Sequence, residues 1–162
     1  MFELYQVGLF FILLLLALIY LAYLASRKRS RSQEIQVSAP DFIEFTSGGN
    51  SCLYVATTFA DRPLSRITAH GLAFGGRANV MVSASEVRIS RVGEISFRIG
   101  AESIIKTSKT TAVIDRAVEK DGLVSIRWML GNAVVETHFR FPDSAARLVV
   151  EQGLGFLIAG RL

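Results

Sequence analysis

Two hydrophobic periods divide the chain. From Val7 to Ala25 it reads VGLFFILLLLALIYLAYLA, nineteen residues without a charge. At ~1.5 Å per residue a helix of that length spans roughly 28 Å, close to the hydrocarbon thickness of a bilayer. From residue 50 onward the period becomes two. Leu53 and Val55 lie in CLYVATT, and Val80 and Val82 flank Met81. Val87 and Ile89 alternate with Glu86, Arg88 and Ser90, and Ile95, Phe97 and Ile99 with Ser96 and Arg98. Val124, Ile126 and Trp128 alternate with Ser125 and Arg127, and Val135, Thr137, Phe139 and Phe141 with Glu136, His138 and Arg140. Such alternation predicts half-buried antiparallel strands.

Turn residues separate these runs. Asp121-Gly122 suits a type I′ hairpin and Gly131-Asn132 a tight two-residue turn. Gly49-Asn50, Gly75-Gly76 and Val92-Gly93-Glu94 mark further loops. After Pro142 the pattern changes again. Asp143 or Ser144 can cap a helix that carries Ala145, Leu148 and Val149 on one face and ends at Gly153 or runs on to Ile158. The predicted fold is mainly β: about seven antiparallel strands in a partly open barrel or two-sheet sandwich, with a C-terminal helix closing one end.

The expected organisation is a transmembrane anchor over 1–26, a basic flexible linker over 27–41 and the β domain over 42–162. The linker reads RKRSRSQEIQVSAPD, and as a coil of this length it reaches roughly 22 Å. The apolar run is too long for the core of a cleaved signal peptide, and its only preceding charge is Glu3. Its hydrophobic side chains favour insertion by roughly 5 kcal/mol. Arg27, Lys28, Arg29 and Arg31 follow it directly. Basic residues stay on the cytoplasmic side, so they predict a single-pass protein of the cell membrane with its N-terminus outside and its domain in the cytoplasm. Tyr5, Tyr20 and Tyr23 fall at interface depth. The run holds no ionisable residue at mid-depth, which argues against transport through this helix alone.

Charge and cysteine content narrow the chemistry. The chain has 162 residues and a formal net charge of +4. Residues 42–162 hold fourteen basic and eleven acidic side chains, interspersed, unlike the clustered basic face of a nucleic-acid binder. The single cysteine, Cys52, excludes an intrachain disulfide and sits in an apolar run that reads as core. Ser103 and Lys106 match S-x-x-K, but that pairing needs a helix, and in a strand an offset of three sends the side chains to opposite faces. His70 and His138 are the only histidines, too few with one cysteine for a structural zinc. His138 is expected on the polar, solvated side of its strand, His70 in a loop or at a strand start, and Trp128 in the core. GLAFGGRA (71–78) lacks the Lys-Ser/Thr of a phosphate loop and reads as a bulge or turn. No catalytic constellation, metal set or cofactor motif emerges.

The stretches YVATT (54–58), PLSRITAHGLAFGGRA (63–78), VIDRAVEKDGLVSIRWMLG (113–131) and VVETHFRF (134–141) resemble a family of small actinobacterial membrane-anchored proteins with a pleckstrin-homology-like (PH-like) domain, often labelled only as membrane or export proteins. The resemblance implies a PH-like barrel or sandwich with a capping helix, and no reaction. It also implies anionic-ligand contact around the first hairpin, where Arg62, Arg66 and, further on, Arg77 are the basic residues. The expected function is therefore a non-enzymatic module tethered to the lipid bilayer that binds or scaffolds an unidentified protein partner. Direct recognition of anionic lipid through those arginines, and service as an accessory subunit of a membrane transport or export assembly, are the alternatives.

Overall fold

The computed structural model describes residues 2–110, 112–113, 116–117 and 123–160; the predicted Asp121-Gly122 turn lies outside them. Helix α1 runs from Phe2 to Gln36. Its segment Gly8–Ala25 has a mean hydropathy of 2.6, is long and apolar enough to cross a membrane, and has none of its residues buried against the rest of the chain. This is therefore no core helix. The helix does not stop at the basic residues. Residues 27–36, expected to be the first part of a flexible linker, continue it. The reason is compositional: Arg, Lys, Gln and Glu are good helix formers, a formed helix propagates cheaply, and the first proline is Pro40. Residues 26–36 thus make a stalk of about 16 Å. The packed domain also begins earlier than residue 42, because Val37 is fully buried.

The strands are β1 (Asp41–Ile43), β2 (Asn50–Phe59), β3 (Arg62–Arg66), β4 (Gly76–Val82), β5 (Glu86–Arg91), β6 (Ser96–Gly100), β7 (Ile104–Thr110), β8 (Ala112–Val113), β9 (Arg116–Ala117), β10 (Leu123–Leu130) and β11 (Ala133–Arg140). Nine of them form one sheet in the order β1-β6-β5-β4-β2-β11-β10-β7, with β3 pairing β2 beside this path; β8 and β9 pair with each other. Every pairing is antiparallel. The predicted architecture holds, with more strands than expected. β1 is short, and the RPLSR of β3 carries a proline and no apolar alternation, so neither leaves a period-two signal.

β2 is the seam of the fold. Residues 50–54 pair with β4, and residues 53–59 pair with β11. The register shifts between His138 and Phe139 opposite it, so the strand passes from one half of the sheet to the other with a bulge. The halves meet through aromatic side chains. Tyr54 contacts Phe97 edge-on at 6.2 Å and Phe139 at 6.0 Å, and Phe97 stacks on Trp128 at 6.2 Å. Trp128 is a core residue, as expected.

Expected side-chain placements change in β2 and just before β6. The inward residues of β2 are Cys52 and Tyr54, while Leu53 is exposed. CLYV is apolar at both parities, so the period alone does not set which face is buried. Ile95 is exposed in the turn before β6 rather than buried in the strand.

Helix α2 spans Ser144–Ala159, and the Asp143 carboxylate accepts from the Ala145 and Ala146 amides at its N-terminus. Such a cap is worth about 1 kcal/mol. Gly153 does not end the helix. A Cβ there would lie 3.1 Å from Val82 Cβ, so glycine lets α2 lie close on β4. Val150, Leu154 and Leu157 bury the inner face of α2 in the core.

A basic, apolar groove on the first connection

Residues 60–75 link β2 to β4 and carry β3 and a short 3₁₀ turn, Ala69–Gly71. Ile67, Ala69 and Leu72 are buried and root the connection in the core. Backbone bonds fix it: Ile67 N–H donates to Thr57 O at 2.9 Å and Thr57 N–H to Leu72 O at 3.0 Å. The guanidinium of Arg91 fixes its far end, donating to Phe74 O at 2.7 Å and Gly71 O at 3.1 Å while lying 4.4 Å over the Tyr54 ring. Arg91 is 3% exposed.

The start of the domain is held to the same connection. His70 Nε2 lies 3.1 Å from Val37 O, so that nitrogen carries the proton and the carbonyl accepts. The His70 ring also meets Phe42 at 6.4 Å. His70 adopts a left-handed φ of 56°, a conformation uncommon outside glycine that persists where surrounding contacts hold it.

Between β3 and the end of the connection lies a groove of about 760 Å³, lined by Arg62, Leu64, Arg66, Thr68, Ala73 and Phe74 among others. Leu64 is 77% exposed and Phe74 60%. Arg62 and Arg66 occupy positions four apart on one strand, a spacing that gives both the same face. Arg62 pairs with Asp61 at 3.3 Å and lies 4.7 Å from the centre of the Phe59 ring. An ion pair this exposed is worth at most about 1 kcal/mol. Of the three arginines expected to contact an anionic ligand, Arg62 and Arg66 share the groove. Arg77 is exposed on β4 and is not part of its lining. Leu64 and Phe74 were not expected as site residues; the available signal was two large apolar residues in a segment otherwise rich in turn formers.

The remaining candidates have structural partners. Ser103 Oγ donates to Gly100 O at 2.8 Å from a 3₁₀ turn, and Lys106 lies on β7. Cys52 is buried, and burial pushes its thiol up to about 12, which keeps it protonated and unreactive. His138 is 2% exposed, which corrects its expected solvated placement. Its strand neighbours supply polar groups where solvent was expected: Ser125 Oγ lies 2.7 Å from Nδ1 and Thr58 Oγ1 3.1 Å from Nε2. Ser125 is fully buried too, so this Ser–His contact offers no surface to a substrate. Among the described residues no three His, Cys, Asp or Glu side chains are placed to hold a metal.

Burial holds His138 below the ordinary imidazole range, against a smaller opposing pull from Glu136. As pH falls below about 6.5 the unfolded chain takes up this proton first. Stability therefore drops with falling pH, by up to about 1.4 kcal/mol per unit, until the folded-state imidazole itself titrates. Equilibrium unfolding of the wild type and of His138→Gln at pH 7.5 and 5.5 checks this. The variant should lose less stability than the wild type between the two pH values.

No curated protein matches the chain. Residues 38–153 match a family described as bacterial PH domain-like, and the chain belongs to that family.

Proposed function

We propose that the chain is a membrane-tethered binding module whose groove takes an extended segment of a protein partner bearing apolar side chains and an acidic group. PH-like domains are in general non-catalytic binding modules, and the apolar segment of α1 stands clear of the domain as an anchor would. The observation that carries the proposal is the edge of β3. Among the described residues β3 pairs only with β2, and its own Arg62, Leu64 and Arg66 line the groove together with Phe74. An open strand edge beside apolar surface suits strand addition: main-chain bonds supply affinity and flanking side chains select. Two arginines in the groove favour a carboxylate on the incoming segment.

Arg27, Lys28, Arg29 and Arg31 orient the anchor with the domain in the cytoplasm. The likeness to anchored actinobacterial proteins accords with this placement. A tether to the bilayer raises the effective concentration of a membrane-bound partner to about the mM range, so weak contacts suffice; a subunit of a transport or export assembly is one such partner. Direct lipid recognition draws less support. Asp61 offsets Arg62, and Arg77 lies apart from the other two arginines.

A photo-crosslinking amino acid in place of Leu64, in native membranes, should yield one discrete protein adduct. Phe74→Glu should reduce it at least about tenfold, as loss of a buried aromatic anchor does. Adducts that are unaffected by Phe74→Glu defeat the proposal. So does salt-sensitive binding of residues 37–162 to anionic vesicles that disappears in Arg62→Ala/Arg66→Ala, which would assign the groove to lipid.

A further inference from the structure

Arg77 lies outside the groove, and the sheet gives it another setting. Four strands put one residue each in a line across their outer face. Arg140 on β11 is paired with Leu53 on β2, and Leu53 with Arg77 on β4. Val92, directly after β5, extends the line: its N–H donates to Arg77 O at 3.0 Å. Residues opposite one another on paired strands share a face. Their chain neighbours Cys52, Tyr54, Ala78, Arg91 and Phe139 take the other parity and are buried. All four residues of the line are exposed, Leu53 by 44% and Val92 by 56%. The line reads basic, apolar, basic, apolar.

Its two arginines differ from the others. Arg62, Arg88, Arg98, Arg127 and Arg147 face carboxylates, and Arg91 is bound to carbonyls. Arg66 is also engaged. The guanidinium groups of Arg77 and Arg140 have no ion pair or hydrogen bond among the described residues. Neighbouring strands lie ~4.8 Å apart, so the two cations stand on backbone positions about 10 Å apart with a leucine midway. Carboxylates presented at that interval would form charge-assisted bonds with both.

The direction of the line selects the partner's shape. It runs across the strands, and β2, β4 and β11 each have a neighbour on both sides. No backbone edge is open there, so an added strand has nothing to pair with. A helix needs only side chains. Along one helix stripe, residues three or four, seven, and ten or eleven positions on fall at roughly 5, 10 and 16 Å. That keeps step with the strand spacing. An extended chain on the same line brings a residue back to one face every ~6.6 Å and is out of step by the second arginine. We propose that Arg140, Leu53, Arg77 and Val92 dock an amphipathic helix of a partner protein. Two acidic residues seven apart face the arginines, and an apolar residue one turn after each faces Leu53 or Val92. This surface is separate from the groove and does not depend on it.

A fluorescent helical peptide with that pattern, stapled on its far side, tests the proposal by anisotropy against the full chain in neutral micelles. It should bind saturably. A peptide of the same composition with its acids four apart should bind at least about tenfold more weakly. Arg140→Glu should weaken binding at least about tenfold, since like charges then meet. Lysine in place of the peptide's first acid should restore it, and lysine in place of the second should not. For Arg77→Glu the second position should rescue and the first should not. Both substitutions are on the surface, so the thermal unfolding temperature should hold. No saturable binding, equal binding of the four-spaced peptide, or rescue indifferent to position would overturn the proposal. So would anionic vesicles or single-stranded RNA that bind through both arginines and displace the peptide, which would assign the line to a polyanion.

Discussion

Arg91→Met should destabilise the domain by about 2–3 kcal/mol and abolish ligand capture at the groove. The guanidinium donates to Phe74 O at 2.7 Å and to Gly71 O at 3.1 Å, and it covers the Tyr54 ring at 4.4 Å. Bonds from a charged donor contribute about 1.5–3 kcal/mol each, partly offset here because a buried cation is removed with them. Two carbonyls of the connection are left without this donor, and the segment that carries Phe74 is released from β5. Arg91→Lys should also lose stability: both carbonyls accept from the one nitrogen Nη2, but an ammonium has neither a planar face to lie on the Tyr54 ring nor the second nitrogen that reaches Ile95 O. Urea unfolding of the full chain in micelles reads the stability loss. Limited trypsin digestion reads the local release, as earlier cleavage after Arg66 in both variants. Crosslinking from position 64 reads the function. A variant that unfolds earlier yet retains the crosslink would show that Arg91 stabilises the domain without positioning the groove.

Arg91 also shows what the sequence tells and withholds. In β5 it shares the parity of Val87 and Ile89, so alternation itself places it inward. The apolar members carry the visible pattern, and a charged side chain at the next inward position does not look like core. The anchor and the closing helix were legible because each repeats one signal over four or more turns. Strand existence was legible for the same reason. Strand parity was not, where both parities are apolar, as at Cys52 and Leu53. His138 failed in the reverse sense. Its outward parity was right, but Thr58 and Ser125 enclose it, and cover over a face depends on contacts distant in sequence. The groove was half legible. Arg62 and Arg66 stand out as charges near the first hairpin, whereas Leu64 and Phe74 acquire meaning only once the connection folds back to bring them to one groove.

The stalk sharpens the functional reading. A flexible linker would let the domain tumble near the lipid. Instead α1 continues to Gln36, and the next residue, Val37, is already packed and bound to His70. Ser38 lies against the β10–β11 turn, where Gly131 has a φ of 60° and a Cβ would collide with the serine side chain. The anchor therefore enters the domain at the connection that bears the groove. Packed contacts, and not a coil, join the helix to the domain.

Thr137→Val should cost about 2–3 kcal/mol although it conserves shape. The hydroxyl belongs to a directed chain. Tyr54 Oη donates to Leu72 O at 2.7 Å and so accepts from Thr57 Oγ1, also at 2.7 Å. The Thr57 oxygen then accepts from Thr137 at 2.8 Å, and Thr137 accepts from Trp128 Nε1–H at 2.9 Å. Burial raises the Tyr54 hydroxyl above its ordinary range, which keeps it a donor at any working pH. Valine removes the middle link. It leaves the indole N–H without its acceptor and Thr57 without its donor, both in the core. An orphaned buried donor costs about 1–3 kcal/mol, more than the net worth of the bond it made. Tyr54→Phe should cost about 1–2 kcal/mol: Leu72 O keeps the Thr57 amide as a donor, but the buried Thr57 hydroxyl loses its acceptor. Thr137→Ser keeps the chain and gives up one methyl, about 0.8 kcal/mol. Thermal unfolding should rank the three with Thr137→Val lowest, and in a double-mutant cycle Trp128→Phe should absorb much of the Thr137→Val penalty. Equal losses for valine and serine at 137 would mean that the methyl, and not the relay from the core to Leu72, is what the position supplies.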